Sequence, residues 1–320
     1  MMNKKEVAII PITNKCNCHC VMCNIWKSKQ TNDLKLKDFE NIAKSNIFKN
    51  EIRSINITGG EPFLRNDIVK IITTFIKNCN YLDSIVINTN GILTHQITNS
   101  VEDLLKYFNN QLKLIIFISL DGLGKTHDKV RGAQGSFNNV DNTIKKLLNL
   151  KKYYNFELLI NTTINKYNVD NLYEIMNYVE KNNLKMDFTF PMQSTTYFMT
   201  AFDDSSNIVK EKFINFLKET INWEIINNPK TYYNSLIHML NGEKRTIGCI
   251  FQKNGFFIKS NGDVYNCWNS NTIIGNIKDK SIDDLMTDVF FDHGICEECY
   301  NNCYYLYTRK NALERLTIKK

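Results

Sequence analysis

The chain has 320 residues, 43% hydrophobic and 23% charged, and its 40 Lys and Arg against 33 Asp and Glu leave a net charge of +7. Those proportions are ordinary for a folded domain, and only 4 Pro and 13 Gly exclude long disordered or linker-like segments. No run approaches the roughly 18 apolar residues of a membrane span, and the positive charge is spread over a Lys-rich surface, with no block joining it to aromatics as a nucleic-acid stripe requires.

Residues Met1 to Glu6 lack the apolar core and cleavage site of a signal peptide, which places the protein in the cytoplasm. Ten cysteines in that compartment argue for metal or redox chemistry over structural disulfides. Apolar strand-like runs then alternate with amphipathic helical runs as far as about residue 190, the pattern of repeated βα units. A first strand over Val7 to Ile12 leads into the dense stretch Cys16-Asn17-Cys18-His19-Cys20-Val21-Met22-Cys23. A helix over Lys35 to Ser45 precedes a second strand, Ile52 to Thr58, which ends at Gly59-Gly60-Glu61-Pro62. The next helix spans Asp67 to Asn78, and a third strand, Ser84 to Asn88, ends at Thr89-Asn90-Gly91. After a helix over Ile97 to Phe108, the fourth strand, Leu112 to Leu120, leads into Asp121-Gly122.

A helix over Ser136 to Lys152, a strand over Phe156 to Ile164, a helix over Asp170 to Asn182 and a strand over Lys185 to Phe190 complete six units. The fold class implied is α/β, a partial (β/α)6 TIM-type barrel open on one side, whose strand-end loops converge on the active site. Three regions follow: a barrel core over 1–205, a helical connection over 206–244, and a small cysteine-rich module over 245–320. Helices over Asn207 to Glu224 and Lys230 to Asn241 fill the connection. The module holds a hairpin over Gly255 to Cys267 turning at Asn261-Gly262, and the cysteines Cys249, Cys267, Cys296, Cys299 and Cys303.

Cys16, Cys20 and Cys23 form C-x3-C-x2-C. Three thiolates on a short loop can hold three corners of a four-iron cluster and leave the fourth iron open to another ligand. A zinc site is the alternative, since four thiols and His19 contain a tetrahedral set, although zinc pairs usually come as C-x2-C repeated at a distance. Gly59 and Gly60 let backbone approach a ligand, Glu61 can accept from an ammonium group, and Ser119, Asp121 and Arg131 add hydroxyl, carboxylate and guanidinium groups at the barrel mouth.

With these four motifs in order on successive strand ends, residues 5 to 195 resemble the radical S-adenosylmethionine (radical SAM) superfamily. The resemblance implies that Cys16, Cys20 and Cys23 bind a [4Fe-4S] cluster whose open iron is chelated by S-adenosylmethionine. It places Met22 near the adenine, Gly59, Gly60, Glu61 and Pro62 near the methionyl ammonium, and Thr89, Asn90 and Ser119 near the ribose or carboxylate. Arg131 is the candidate carboxylate partner. Cys249-x12-Gly262-x4-Cys267 resembles the opening of the SPASM and twitch extensions, which hold auxiliary iron–sulfur clusters. Here only Cys296-x2-Cys299-x3-Cys303 continues it, and five thiols are too few for two all-cysteine clusters. One auxiliary [4Fe-4S] cluster on Cys249, Cys267, Cys296 and Cys299 is the expectation, with Cys303 surplus or a replacement; a structural zinc knuckle is the alternative.

The resemblance further implies reductive cleavage of S-adenosylmethionine to a 5′-deoxyadenosyl radical, with electrons from a flavodoxin- or ferredoxin-type donor. The first expectation for the substrate is a ribosomally made peptide that is oxidised, crosslinked or epimerised. Epimerisation needs a hydrogen-atom donor, for which Cys303, Cys18 and Cys79 are candidates. A carbohydrate or aminocyclitol oxidised or epimerised by a twitch-type enzyme is the second expectation, and no leader-recognition segment before Cys16 weighs toward it. A zinc-stabilised binding module without catalysis is the reading from another class. No nucleic-acid or membrane partner is expected. His95, His238 and His293 read as surface residues, and Phe188, Phe190, Tyr197 and Phe198 as core or pocket lining.

Overall fold

The computed structural model describes residues 4–29, 32–108, 111–191, 194, 207–287 and 299–300. Cys296, Cys303, His293, Tyr197 and Phe198 lie outside the described residues. The chain runs β1 (Val7–Pro11), α1 (Leu36–Ala43), α2 (Asn46–Asn50), β2 (Ser54–Thr58), α3 (Ile68–Asn78), β3 (Ser84–Thr89), α4 (Thr94–Leu105), β4 (Lys113–Ser119), α5 (Lys125–Arg131), α6 (Ser136–Leu150), β5 (Glu157–Thr163), α7 (Leu172–Lys181) and β6 (Lys185–Thr189). These six strands pair in parallel in sequence order. A helical crossover between consecutive strands gives that result, and the outcome is a partial TIM-type barrel. Helices α8 (Asn207–Thr220) and α9 (Lys230–Leu240) follow, then β7 (Gly255–Ile258), β8 (Asp263–Tyr265), β9 (Gly275–Asn276) and α10 (Ile282–Leu285).

The strands alternate between two cores, as the two-residue period of a strand demands. Ala8, Ile10, Ile55, Ile57, Ile85, Ile87, Ile116 and Ile118 face outward into a core shared with the helices. Val7, Ile9, Val86, Phe117 and Leu159 face the barrel interior, in a second core with Phe257, Tyr265, Cys267 and Trp268. Burial of both faces explains why the strands read as nearly continuous apolar runs.

The hairpin follows the sequence expectation in β7 and β8, but β7 also joins the barrel sheet. It lies parallel to β1, with Val7 opposite Gly255 and Ile9 opposite Phe257, while β8 and β9 continue antiparallel. Without β7, the outer edge of β1 would present a row of unpaired backbone groups. Periodicity could not show which strand covers that edge. It also missed α5, whose seven residues carry too few turns for an apolar stripe. Helix α4 starts three residues before the expected Ile97, because the Thr94 hydroxyl is tied to Asn139 O and to the Thr143 hydroxyl of α6.

Because β7 is built into the main sheet, its core contacts support the whole barrel. Phe256 is fully buried with its ring 5.8 Å from that of Phe48. Phe256→Ala is expected to destabilise the protein by about 3–5 kcal/mol in urea unfolding, with the barrel and hairpin melting together. A separate early transition confined to the hairpin would show that β7 is an appendage.

Candidate functional site

The cysteine loop between β1 and α1 is held against its neighbours by contacts too close for a side chain. A Cβ on Gly59 would lie 2.3 Å from Thr13 O, and one on Gly60 2.2 Å from Lys15 O. Through this approach Gly60 N donates to Thr13 O and Glu61 N to Lys15 O, both at 2.8 Å. On the other side Gly132, at φ +60°, would place a Cβ 2.4 Å from His19 O. There His19 N donates to Arg131 O and Val21 N to Val130 O, both at 2.9 Å. Asn90 Nδ2 adds a bond to Asn17 Oδ1 at 2.7 Å. Glycine is required at these positions because backbone meets backbone, and at Gly132 also because of its left-handed conformation.

The loop presents Cys16, Cys18, Cys20, Met22 and Cys23 to a cavity of about 340 Å³ at the C-terminal ends of the strands. Cys18 is buried and hydrogen-bonded between the Cys16 and Cys20 thiols, an arrangement that pushes its own pKa well up and those of its two neighbours down. The Cys18 hydrogen bond, with the Arg131 guanidinium, holds Cys20 down at about 6 against the opposing effect of burial. Burial pushes Cys23 up to about 12. Among the described residues, no three His, Cys, Asp or Glu side chains converge as a site for one metal ion. A four-iron cube instead takes its thiolates at separate corners.

Behind the loop sits a buried charged pair. Arg131 Nη2 lies 2.6 Å from Asp121 Oδ2, and the two side chains are 10% and 0% exposed. Asp121 Oδ1 accepts from Thr163 N at 2.7 Å, and Asp121 N donates to His127 Nδ1 at 3.1 Å. Burial, followed by the nearby Arg131 charge, pushes the His127 pKa down to about 3, so this ring is neutral. Arg131 Nη1 donates to Cys20 Sγ at 3.7 Å, while Arg131 Nε is buried without a partner. Arg131 lines the cavity, where a guanidinium fits an anionic group such as the carboxylate of S-adenosylmethionine.

Of the residues selected from sequence, Met22, Gly59, Gly60, Thr89, Asn90, Ser119 and Arg131 line the cavity. Glu61 and Pro62 lie behind its wall. The Glu61 carboxylate accepts from Phe63 N at 3.2 Å, the Thr89 hydroxyl at 2.8 Å and Asn90 N at 2.7 Å, which fastens the end of β2 to that of β3. The cavity therefore meets the backbone of the glycine turn, and Glu61 serves to hold that turn. Cys79 caps α3 within the outer core and lines no part of the cavity, because it lies in the helix layer outside the sheet. Cys249 and Cys267 pack with Cys16, Cys23 and Trp268 in the inner core, and Trp268 lines the cavity. Arg245 Nη1 donates to Cys299 O at 3.0 Å, tying that cysteine to the segment after α9.

Sequence reading missed the interior polar wall of Asn56, Asn88, Asn161, Thr163, Asp187 and Thr189. Its signal is present in the strands, where polar residues occupy alternate positions toward the C-terminal ends of otherwise apolar runs. Asn88 Nδ2 donates to Asn56 Oδ1 at 2.6 Å, and the Thr189 hydroxyl to Asn161 Oδ1 at 2.9 Å. Asp187 accepts from Asn227 Nδ2 at 2.9 Å and Asn228 N at 2.8 Å.

Residues 10–186 match the family model of the radical SAM superfamily, and residues 249–304 match an iron–sulfur cluster-binding domain, SPASM. The GTP 3′,8-cyclase of Desulforamulus reducens is 32% identical over 148 residues, which cover 44% of this chain and 42% of that protein. The chain thus spans less than half the length of that relative. The antilisterial bacteriocin subtilosin biosynthesis protein AlbA of Bacillus subtilis is 32% identical over 142 residues, 44% of this chain and 30% of AlbA. SuiB of Streptococcus suis bound to S-adenosylmethionine shares the fold with a TM-score of 0.63 at 18% identity, over 92% of this chain and 68% of SuiB. SuiB has also been solved bound to its precursor peptide SuiA.

Two outcomes follow from this geometry. Gly132→Ala should lower iron bound per chain several-fold after anaerobic reconstitution while the circular dichroism is kept, because the loop loses one of its two clamps. Glu61 gives a pH signature. Burial raises its pKa from 4.5 to about 7, so the folded state holds a proton that the unfolded state has released. Its contribution is fully present below about pH 4.5 and falls by on the order of 3 kcal/mol as pH rises to about 7. The stability of the ligand-free protein relative to Glu61→Gln should therefore fall over that window in urea titrations, whereas the opposite slope from His127 cancels in the comparison.

Proposed function

The chain belongs to the radical SAM superfamily, and on that premise we propose that it abstracts hydrogen from a ribosomally made peptide, which it oxidises, crosslinks or epimerises. When bound, a [4Fe-4S] cluster and S-adenosylmethionine supply the one-electron chemistry that removes hydrogen from an unactivated carbon. Cys16, Cys20 and Cys23 would hold the cluster, and the donor set fits it: three clamped thiols at one cavity, two with lowered pKa. Met22, the Gly59–Gly60 backbone, Thr89, Asn90, Ser119 and Arg131 would orient S-adenosylmethionine. Cys249, Cys267, Cys296 and Cys299 would hold one auxiliary [4Fe-4S] cluster, with Cys303 surplus.

The observation that carries the peptide reading is the shared wall of the two cysteine groups. Cys249 and Cys267 pack in the same inner core as Cys16 and Cys23, with Trp268 between that core and the cavity. The two cysteine groups thus share one packed core beside the cavity, an arrangement suited to chemistry needing a second redox centre. AlbA is named for bacteriocin biosynthesis and SuiB has been solved bound to a precursor peptide, which favours that substrate class. Cys18, in the cavity, is the described candidate for returning a hydrogen atom. The net charge of +7 suits an acidic flavodoxin- or ferredoxin-type donor.

The polar wall supports a second reading, a carbohydrate or aminocyclitol substrate, since Asn56, Asn88 and Asn161 offer amide donors and acceptors for hydroxyl groups. One assay separates the two. The reconstituted protein is given dithionite, S-adenosylmethionine and short precursor peptides encoded beside its gene, and peptide mass is followed with 5′-deoxyadenosine release. The peptide reading predicts loss of two hydrogens on oxidation or crosslinking, or uptake of one solvent deuterium on epimerisation. Release of 5′-deoxyadenosine with every peptide unchanged, but with a turned-over aminocyclitol, would favour the second.

A further inference from the structure

The three guanidinium nitrogens of Arg131 are used unequally. Nη2 is committed to Asp121, Nη1 points at Cys20 Sγ, and Nε alone is without a partner. Among the described residues no guanidinium makes such a contact with Cys16 or Cys23, so the three cysteines of the loop are not equivalent. The geometry leaves Arg131 little freedom. Its carbonyl accepts from His19 N, it ends α5, and the Asp121 that grips it is fixed in turn by Thr163 N, with Asn168 Nδ2 donating to Asp121 O at 3.1 Å. A buried pair with one partner removed leaves an uncompensated charge, so the arrangement is stiff.

We propose that Asp121 and Arg131 are positioning residues that aim a charge-bearing N–H at the sulfur of Cys20, making it the electronically distinct corner of the N-terminal cluster and raising that cluster's reduction potential. The inference rests on the reading of Cys16, Cys20 and Cys23 as cluster ligands. A hydrogen bond and a positive charge at a cluster thiolate both stabilise the more negative, reduced form, and cluster potentials respond to such contacts. The charge of Asp121 offsets part of the guanidinium charge and leaves the directed hydrogen bond as the specific element.

The test is a midpoint potential measured without S-adenosylmethionine, by dithionite titration with redox mediators under electron paramagnetic resonance, alongside iron content and circular dichroism. Arg131→Lys keeps the charge and loses the fork, so its midpoint should shift below that of the parent protein. Arg131→Gln loses both and should shift furthest. Iron per chain should be unchanged in both. A folded Arg131→Gln protein whose N-terminal cluster titrates at or above the parent midpoint overturns the proposal. So does loss of the cluster from both folded variants, since the pair would then build the site and not tune it. If Arg131→Gln fails to fold, Arg131→Lys carries the test alone, and an unshifted midpoint overturns the proposal. A parent protein that assembles no cluster on Cys16, Cys20 and Cys23 contradicts the underlying reading instead, and that failure is recognised by the missing signal.

Discussion

The geometry of the site depends on backbone meeting backbone at distances that admit no side chain. Gly59 and Gly60 press on Thr13 and Lys15 from one side, and Gly132 presses on His19 from the other. Between these contacts the loop from Cys16 to Cys23 has little freedom, so its thiols are placed before any ligand arrives. The ordering entropy is met during folding, when barrel burial offsets it, and not at the moment of binding. The same contacts link three strand ends: the glycine turn follows β2, Glu61 fastens it to the end of β3, and Arg131 reaches back from beyond β4.

The barrel interior is divided by chemistry. Toward β1 and β7 it is apolar, with Val7, Ile9, Phe257 and Trp268, and this side carries Cys249 and Cys267 as neighbours of Cys16 and Cys23. Toward the C-terminal ends of β2, β3, β5 and β6 it is polar, with Asn56, Asn88, Asn161, Thr163, Asp187 and Thr189. The apolar side thus suits sulfur, and the polar strand ends suit hydrogen-bonding groups. Pairing of β7 with β1 creates the apolar side, since it carries Cys249 and Cys267 onto the barrel through backbone hydrogen bonds and not through a loose interface.

Much of this was legible in the sequence, for physical reasons. Six apolar runs alternating with amphipathic helical runs read as buried parallel strands, and the residues after them fall at one end of a barrel by topology alone. Cys16, Cys20, Cys23, Gly59, Gly60 and Arg131 were found in that way. What escaped depends on tertiary partners. The second neighbour of β1, strand β7, is 248 residues distant and has no local signature, as the pairing of Ile9 with Phe257 shows. Glu61 turns inward because three donors wait behind the turn, which a motif cannot reveal. Cys79 looks like any other thiol until its helix is docked. The inner asparagines were visible as alternation but not as a wall, because register decides which face they share.

The most direct test of the central claim is the electron paramagnetic resonance spectrum of the anaerobically reconstituted, dithionite-reduced protein before and after addition of S-adenosylmethionine, with Cys16→Ala, Cys20→Ala and Cys23→Ala combined as control. A cluster signal that changes on addition is expected, because one iron would have no protein ligand, together with a triple variant that keeps auxiliary iron but loses the responsive signal. A signal indifferent to S-adenosylmethionine, or a colourless protein that retains zinc on these three cysteines, would contradict that claim.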